Sequence, residues 1–191
     1  MEITEAAVVA QVLAGDREAF RLLVNRHTRS IYNVAYRMTG NQQDAEEIVQ
    51  ETFLRAYRSL ERFELRSSFS TWLYRIAVNR CLDFLKAKKM NDRYQISENP
   101  GTEEDDRAIQ LPVTDPGPDR LLLSAEVKEK IARAMGLLTP AERVAFTMRH
   151  MEGKSIEEIS KTLRIRTSAA KNSVFRAVQK LRQQLEPLVI G

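Results

Sequence analysis

The sequence predicts an all-α protein of two small helical domains, an N-terminal helical bundle and a C-terminal helix-turn-helix domain, joined by a flexible acidic linker. Three observations carry that expectation. Apolar residues recur at helical spacing on both sides of the chain's middle, and no alternating run is long enough for a strand. Breakers collect between Asn91 and Pro118, as Pro100-Gly101, Pro112 and Asp115-Pro116-Gly117-Pro118, around the acidic run Glu103-Glu104-Asp105-Asp106. Near the C-terminus a capped apolar stretch, a tight connection and a longer basic stretch follow one another.

The middle divides the chain into domains at 1–90 and 119–191 with a linker at 91–118. As a flexible coil, those residues have an end-to-end distance of roughly 30 Å. That is about one turn of duplex DNA, ~34 Å.

In the first domain, Gly15-Asp16 stops one short helix and caps a second from about Arg17 to Met38. Gly40-Asn41 repeats the punctuation before a helix from Gln42 to about Leu60. A fourth helix starts near Ser70 and runs to about Lys89. After the linker, Asp119 is placed to cap a helix through Met135. Thr139-Pro140 sets an N-cap before a proline at the first helical position, opening a helix to about Met151. Gly153 ends it.

Ser155-Ile156-Glu157-Glu158 then forms a capping box, serine answered by glutamate three positions on. Ile156, Ile159 and Leu163 make one buried face. Arg164-Ile165-Arg166 is a tight connection whose isoleucine can plug the angle between two helices. Thr167 or Ser168 caps the last helix, which Pro187 stops. Val174, Val178, Leu181 and Leu185 form its apolar stripe. The opposite side presents Ser168, Lys171, Asn172, Phe175, Arg176 and Gln179, types that contact bases and phosphates: Arg or Lys to guanine, Asn or Gln to adenine, an aromatic edge to a thymine methyl. Such an arrangement points to duplex DNA.

Charge distribution agrees. The net charge of the 191 residues is +4. Residues 1–90 carry 14 basic and 11 acidic groups, 91–118 carry two and seven, and 119–191 carry 14 and eight. Basic modules flanking an acidic strip suit a polyanion partner. With 43% hydrophobic and 29% charged residues, disorder throughout is not expected. No apolar run approaches the ~18–20 residues that span a bilayer, and the N-terminus lacks the pattern of a secretion signal. A cytoplasmic protein without membrane insertion is expected. Cys81, His27 and His150 give no zinc site. Cys81 reads as an inert core thiol, and the two histidines as helix-surface residues.

The helix around Asp44–Tyr57 buries Ala45, Ile48, Val49, Phe53 and Ala56, and its other face gathers Asp44, Glu47, Gln50 and Glu51. An acidic stripe is a poor DNA surface and a plausible protein dock. The helix from Ser70 to Lys86 is apolar around most of its circumference, Trp72 included. One polar strip remains, Arg75, Asn79, Arg80, Asp83 and Lys86, preceded by Phe63 and the loop Glu64–Ser68. That combination suits single-stranded DNA, whose bases need pockets and whose backbone needs cations.

Three blocks carry a resemblance: Asp44-Ala45-Glu46-Glu47-Ile48-Val49-Gln50-Glu51-Thr52-Phe53, Ser70-Thr71-Trp72-Leu73-Tyr74-Arg75-Ile76-Ala77-Val78-Asn79, and Leu138-Thr139-Pro140 with the helix-turn-helix after it. In this order and spacing the chain resembles the extracytoplasmic-function subgroup of bacterial sigma factors, over nearly its whole length. The resemblance implies a transcription initiation factor acting as a subunit of RNA polymerase holoenzyme, without cofactor or catalysis of its own, in stress response. It implies core polymerase (beta-prime and beta subunits) as partner, with Asp44, Glu47, Gln50, Glu51 and Phe53 on the helix that docks on the coiled coil of beta-prime. Recognition and opening of the minus-ten element would fall to Phe63, Glu64, Arg66, Ser67, Arg75, Asn79, Arg80 and Lys86. Duplex at the minus-thirty-five element would meet Arg149, Ser155, Thr167, Ser168, Lys171, Asn172, Phe175 and Arg176. The linker would thread toward the polymerase cleft and RNA exit path, and an anti-sigma factor is implied as a further partner.

The recognition helix departs from the family pattern. Ser168-Ala169-Ala170 stands where a Gly-Thr-Val-like triplet is usual, and Ser173 where an arginine is usual; this bears on which bases are read. A polymerase-independent helix-turn-helix regulator would explain the last domain alone and leave the N-terminal blocks idle. A helical enzyme finds no phosphate-binding glycine loop, ligand cluster or nucleophile–base pair to support it.

Overall fold

The computed structural model describes residues 4–64, 66–98 and 118–186, with side chains up to 92 and again from 127 around the central gap. Most of the expected linker therefore lies outside the described residues. Helices and no strand are found among those described: α1 (Glu5–Leu13), α2 (Phe20–Thr39), α3 (Gln42–Arg58), α4 (Phe69–Glu98), α5 (Pro118–Gly136), α6 (Pro140–Phe146), α7 (Ile156–Leu163) and α8 (Thr167–Leu185).

Local chemistry explains most of the ends. Asn41 caps α3, its side chain accepting from the Asp44 N–H, while Gly40 supplies the left-handed turn at φ 73° that an L side chain resists. Ser155 and Thr139 each form a complete capping box, with Glu158 and Glu142. Several ends differ from expectation. Helix α5 opens at Pro118, whose fixed φ suits a first turn, so Asp119 lies inside the helix and does not cap it. The Asp16 carboxylate accepts from the N–H groups of Glu18 and Ala19, which draws 17–19 into a turn and delays α2 to Phe20. Helix α4 runs past Lys89 to Glu98, because no glycine or proline interrupts it before Pro100. Regular α6 stops at Phe146 and widens into a π turn over Thr147–Met151, closed by the Glu152 N–H on the Thr147 carbonyl at 3.1 Å.

Helices α1–α4 enclose a core of Val8, Val9, Phe20, Leu23, Ile31, Phe53, Leu60, Phe63, Phe69, Leu73 and Ala77. Apolar residues occupy most of the circumference of α4 because the other helices wrap it. Leu73, fully buried, contributes about 1.5–3 kcal/mol by burial. A smaller core joins α5 to α8 through Ala134, Met135, Leu138, Ala177 and Leu181. The third core belongs to both halves of the chain. Val34, Ala35, Met38, Ala45, Ile48, Val78, Cys81 and Leu85 pack with Val144, Ala145, Met148, Ile159, Leu163 and Ala170.

On α8 the apolar stripe differs from expectation. Ala170, Ala177 and Leu181 are buried with Val174 partly so, and Val178 yields its place to Ala177. Close helix packing favours the smaller side chain at that point. Neither Thr167 nor Ser168 caps this helix; the N-cap is Arg166 at extended backbone angles, with no side-chain cap bond, and Thr167 is already helical.

Candidate nucleic-acid and polymerase interface

The helix-turn-helix is built from α7, a turn at Arg164 and α8. Arg164 takes left-handed angles (φ 54°, ψ 44°), and its N–H donates to the Ser160 carbonyl. Ile165 packs partly buried against the shared core, filling the angle between the two helices. With Ala170, Val174, Ala177 and Leu181 turned inward, Thr167, Ser168, Lys171, Asn172, Phe175, Arg176 and Gln179 are all left exposed along the outer side of α8. Phe175 is 60% exposed, unusual for an aromatic ring with packing available nearby. Lys180 anchors the helix from behind, its Nζ 2.8 Å from Glu142 Oε2 on α6. Two residues expected at this surface have local duties. Arg149 is exposed and donates to the Lys154 carbonyl at 3.1 Å, and Ser155 is committed to its capping box.

The acidic side of α3 is partly neutralised. Glu47 and Gln50 are exposed. Asp44 pairs with Lys88 Nζ at 2.7 Å and Glu51 with Arg80, so both carboxylates are tied to α4. Phe53 lies on the buried side of the helix, as its spacing predicts, 6% exposed with its ring 6.5 Å from Phe20, edge to face, so it supports the docking face from within the core.

At the other end of the first module, Phe63 is buried against Phe69 and Trp72, with ring centroids 5.8 and 5.1 Å away. Trp72 belongs to this cluster, as its helix predicts. Glu64 and Arg66 are exposed and paired at 2.8 Å, and Ser67 is half-buried. The sequence did not reveal that α1 closes this end. A cavity of about 350 Å³ opens between Glu5, Ala6, Phe63, Ser67, Ser68 and Phe69. His27, expected at the surface, is buried beneath it, with its Nε2 2.8 Å from Glu5 Oε1. That contact links positions 22 apart in sequence, and no local pattern announces it.

Along α4, Arg75 and Lys86 are exposed and Arg80 is turned toward Glu51. Asn79 is different. Its Nδ2 donates to the Arg75 carbonyl at 2.7 Å and to the Thr162 carbonyl of α7 at 3.0 Å. Cys81 is fully buried, and burial pushes its thiol up to about 12, so it carries no nucleophilic thiolate. No group of histidine, cysteine and carboxylate able to hold a metal is found among the described residues.

Comparison with known proteins agrees with this geometry. The family model for Sigma-70 region 2 matches residues 23–90, and that for Sigma-70 region 4 matches residues 128–181. The ECF RNA polymerase sigma factor SigW of Bacillus subtilis (strain 168) is 34% identical over 188 residues, covering 98% of this chain and all of that protein. The chain belongs to the ECF sigma factors. Other members include the ECF RNA polymerase sigma-E factor of Escherichia coli (strain K12), 32% identical over 196 residues, with 98% of this chain and 97% of that protein covered. Among solved structures, the sigma factor RpoE of Bartonella quintana in complex with the anti-sigma factor NepR shares the fold at TM-score 0.61 and 20% identity, over 87% of this chain and 96% of that one. CnrH in complex with the cytosolic domain of CnrY does so at TM-score 0.59 and 24% identity, over 94% and 96%. As an ECF sigma factor the chain is a transcription-initiation subunit that directs RNA polymerase to specific promoters, and it is not itself an enzyme. No described helix is long and apolar enough to cross a membrane.

Proposed function

We propose a division of labour between the two modules of this sigma factor. Helix α8 reads the minus-thirty-five duplex through Ser168, Lys171, Asn172, Phe175 and Arg176. The aromatic end of the first module, with Glu64, Arg66, Ser67, Arg75 and Asn79, receives the unwound minus-ten strand. Glu47 and Gln50, with the tied carboxylates of Asp44 and Glu51, meet core polymerase. The protein works in the cytoplasm, where its polymerase is, and an anti-sigma factor restrains it.

The outer face of α8 is the observation that carries this reading. Base-reading residue types recur at exposed positions spaced along that one face, and an exposed phenylalanine stands among them. Arg and Asn offer bidentate contacts to guanine and adenine, each worth roughly 1–3 kcal/mol of discrimination.

The test is run-off transcription by bacterial core polymerase with and without this chain, with start sites sequenced. Expected are new start sites preceded by a shared pair of elements at fixed spacing. Tight duplex binding by the chain alone, with no association with core and no new start sites, would replace this reading with that of a polymerase-independent regulator.

A further inference from the structure

Arg80 stands on α4 among the residues expected to hold the melted strand, yet it is turned the other way. Its guanidinium pairs with Glu51 of α3 and its side chain is only 14% exposed, whereas Arg75 and Lys86 of the same strip are exposed. Arg80 Nε is buried without a hydrogen-bond partner among the described residues. A phosphate backbone passing along α4 would find little of this cation.

Glu51 lies one turn beyond Glu47 and next to Gln50, both exposed on the side of α3 assigned to core polymerase. Its side chain stays 38% exposed while Arg80 grips it, so the carboxylate is both held and reachable. Seven residues earlier, about 10 Å back along α3, Asp44 meets Lys88 of α4 at 2.7 Å. That second clasp keeps the two helices in register. Asp44 itself is mostly covered, and Glu51 is the carboxylate that the pairing leaves on offer.

We propose that Arg80 is a positioning residue of the polymerase dock. It fixes the Glu51 carboxylate of α3 for a basic side chain of core polymerase and takes no part in holding the strand. This deepens the assignment of α3 to core polymerase made above and rests on it.

An unpaired glutamate samples many rotamers, and ordering it on binding costs affinity. Arg80 has ordered it beforehand. The pair also survives docking. Drawing Glu51 away would leave a nearly buried guanidinium without its carboxylate, its Nε already unpartnered, and an unpaired buried charge is strongly unfavourable. A basic group of core polymerase therefore meets the carboxylate where it stands and does not replace Arg80. The docking face is thus built by two helices: α3 supplies the acid and α4 sets its direction.

Titration of labelled core polymerase with the full chain tests this at about 0.3 M salt, where charges beyond ~6 Å are largely screened. The extra negative field left by removing Arg80 is then small. Arg80→Gln should weaken core binding about threefold or more, as should Glu51→Gln. The double variant should lose little beyond either single one, because Arg80 acts through Glu51. Holoenzyme formed from Arg80→Gln at saturating core should bind a single strand of the mapped minus-ten sequence within about twofold of wild type.

The charge exchange Arg80→Glu with Glu51→Arg separates positioning from a merely structural clasp. It should return the melting temperature toward wild type while core binding stays weak, since the carboxylate then stands on α4. An exchange that restores both would overturn the proposal. So would additive losses in the double variant, wild-type core binding by Arg80→Gln, or weakened strand binding at saturating core. Failure of the docking assignment itself would show separately, as a Glu47→Lys variant with unchanged core affinity.

Discussion

Glu142 and Lys180 hold the helix-turn-helix together from behind its reading face. Glu142 Oε2 accepts from Lys180 Nζ at 2.8 Å and from the Thr139 N–H at 2.9 Å, so one oxygen closes the capping box of α6 and secures α8. Burial alone would raise this carboxyl. The bonds from Lys180 and Thr139 outweigh it and hold the acid below the usual glutamate range.

Replacing Glu142 by Ala should therefore cost about 2 kcal/mol, a lost cap bond plus part of a buried pair, discounted because Lys180 is 41% exposed. Chemical denaturation measures it. A depressed folded pKa means stability that is complete above the unfolded carboxyl value of about 4.5 and fades as pH falls through the folded one. The wild-type advantage over Glu142→Gln should accordingly shrink on acidification below that value. An advantage constant from pH 7 to 3 would refute the pairing.

Arg164 occupies left-handed space without being glycine. Its side chain is exposed, so little packing is lost by removing it. Arg164→Gly should raise stability by about 0.5–1 kcal/mol, relief of the Cβ clash less the added freedom of the unfolded chain. A lower melting temperature for this variant would show that the turn is held by the arginine side chain instead.

Phe175→Ala and Arg176→Ala remove exposed groups from α8, and each should change stability by no more than about 0.5 kcal/mol. Promoter-directed transcription should fall about tenfold or more, while association with core polymerase is unchanged. Equal loss of both would defeat the separation of roles.

Glu47→Lys offers the cleaner probe of the α3 surface. Its side chain is exposed, whereas Asp44 is tied to Lys88, so Asp44→Lys should also disturb the fold. For Glu47→Lys we expect core affinity to drop by about fivefold or more at low salt, with the deficit narrowing as ionic strength rises. Titration of labelled core against both variants, beside a duplex-binding assay that should not change, would decide the matter.

Much of the site was legible because it is written locally. Asn41, Thr139 and Ser155 announce their helix starts through side chains that reach only three residues ahead. The exposed series on α8 follows from helical periodicity alone, with Phe175 conspicuous as an apolar residue off the stripe. Where local signals compete, the reading shifted by one position: Ala177 is the fully buried residue of the α8 stripe, with Val178 beside it only half-buried.

The sequence by itself determined an all-helical chain, the helix-turn-helix and the kinds of side chain each face presents, since spacing and capping act within a few residues. Only the tertiary structure decided the pairings across distance: His27 with Glu5, Arg80 with Glu51, Arg37 with Glu152 and Asn79 with Thr162. Positions 79 and 162 meet because two apolar faces, each incomplete alone, bury one another, and periodicity within a helix says that a face is apolar without saying which other face will cover it.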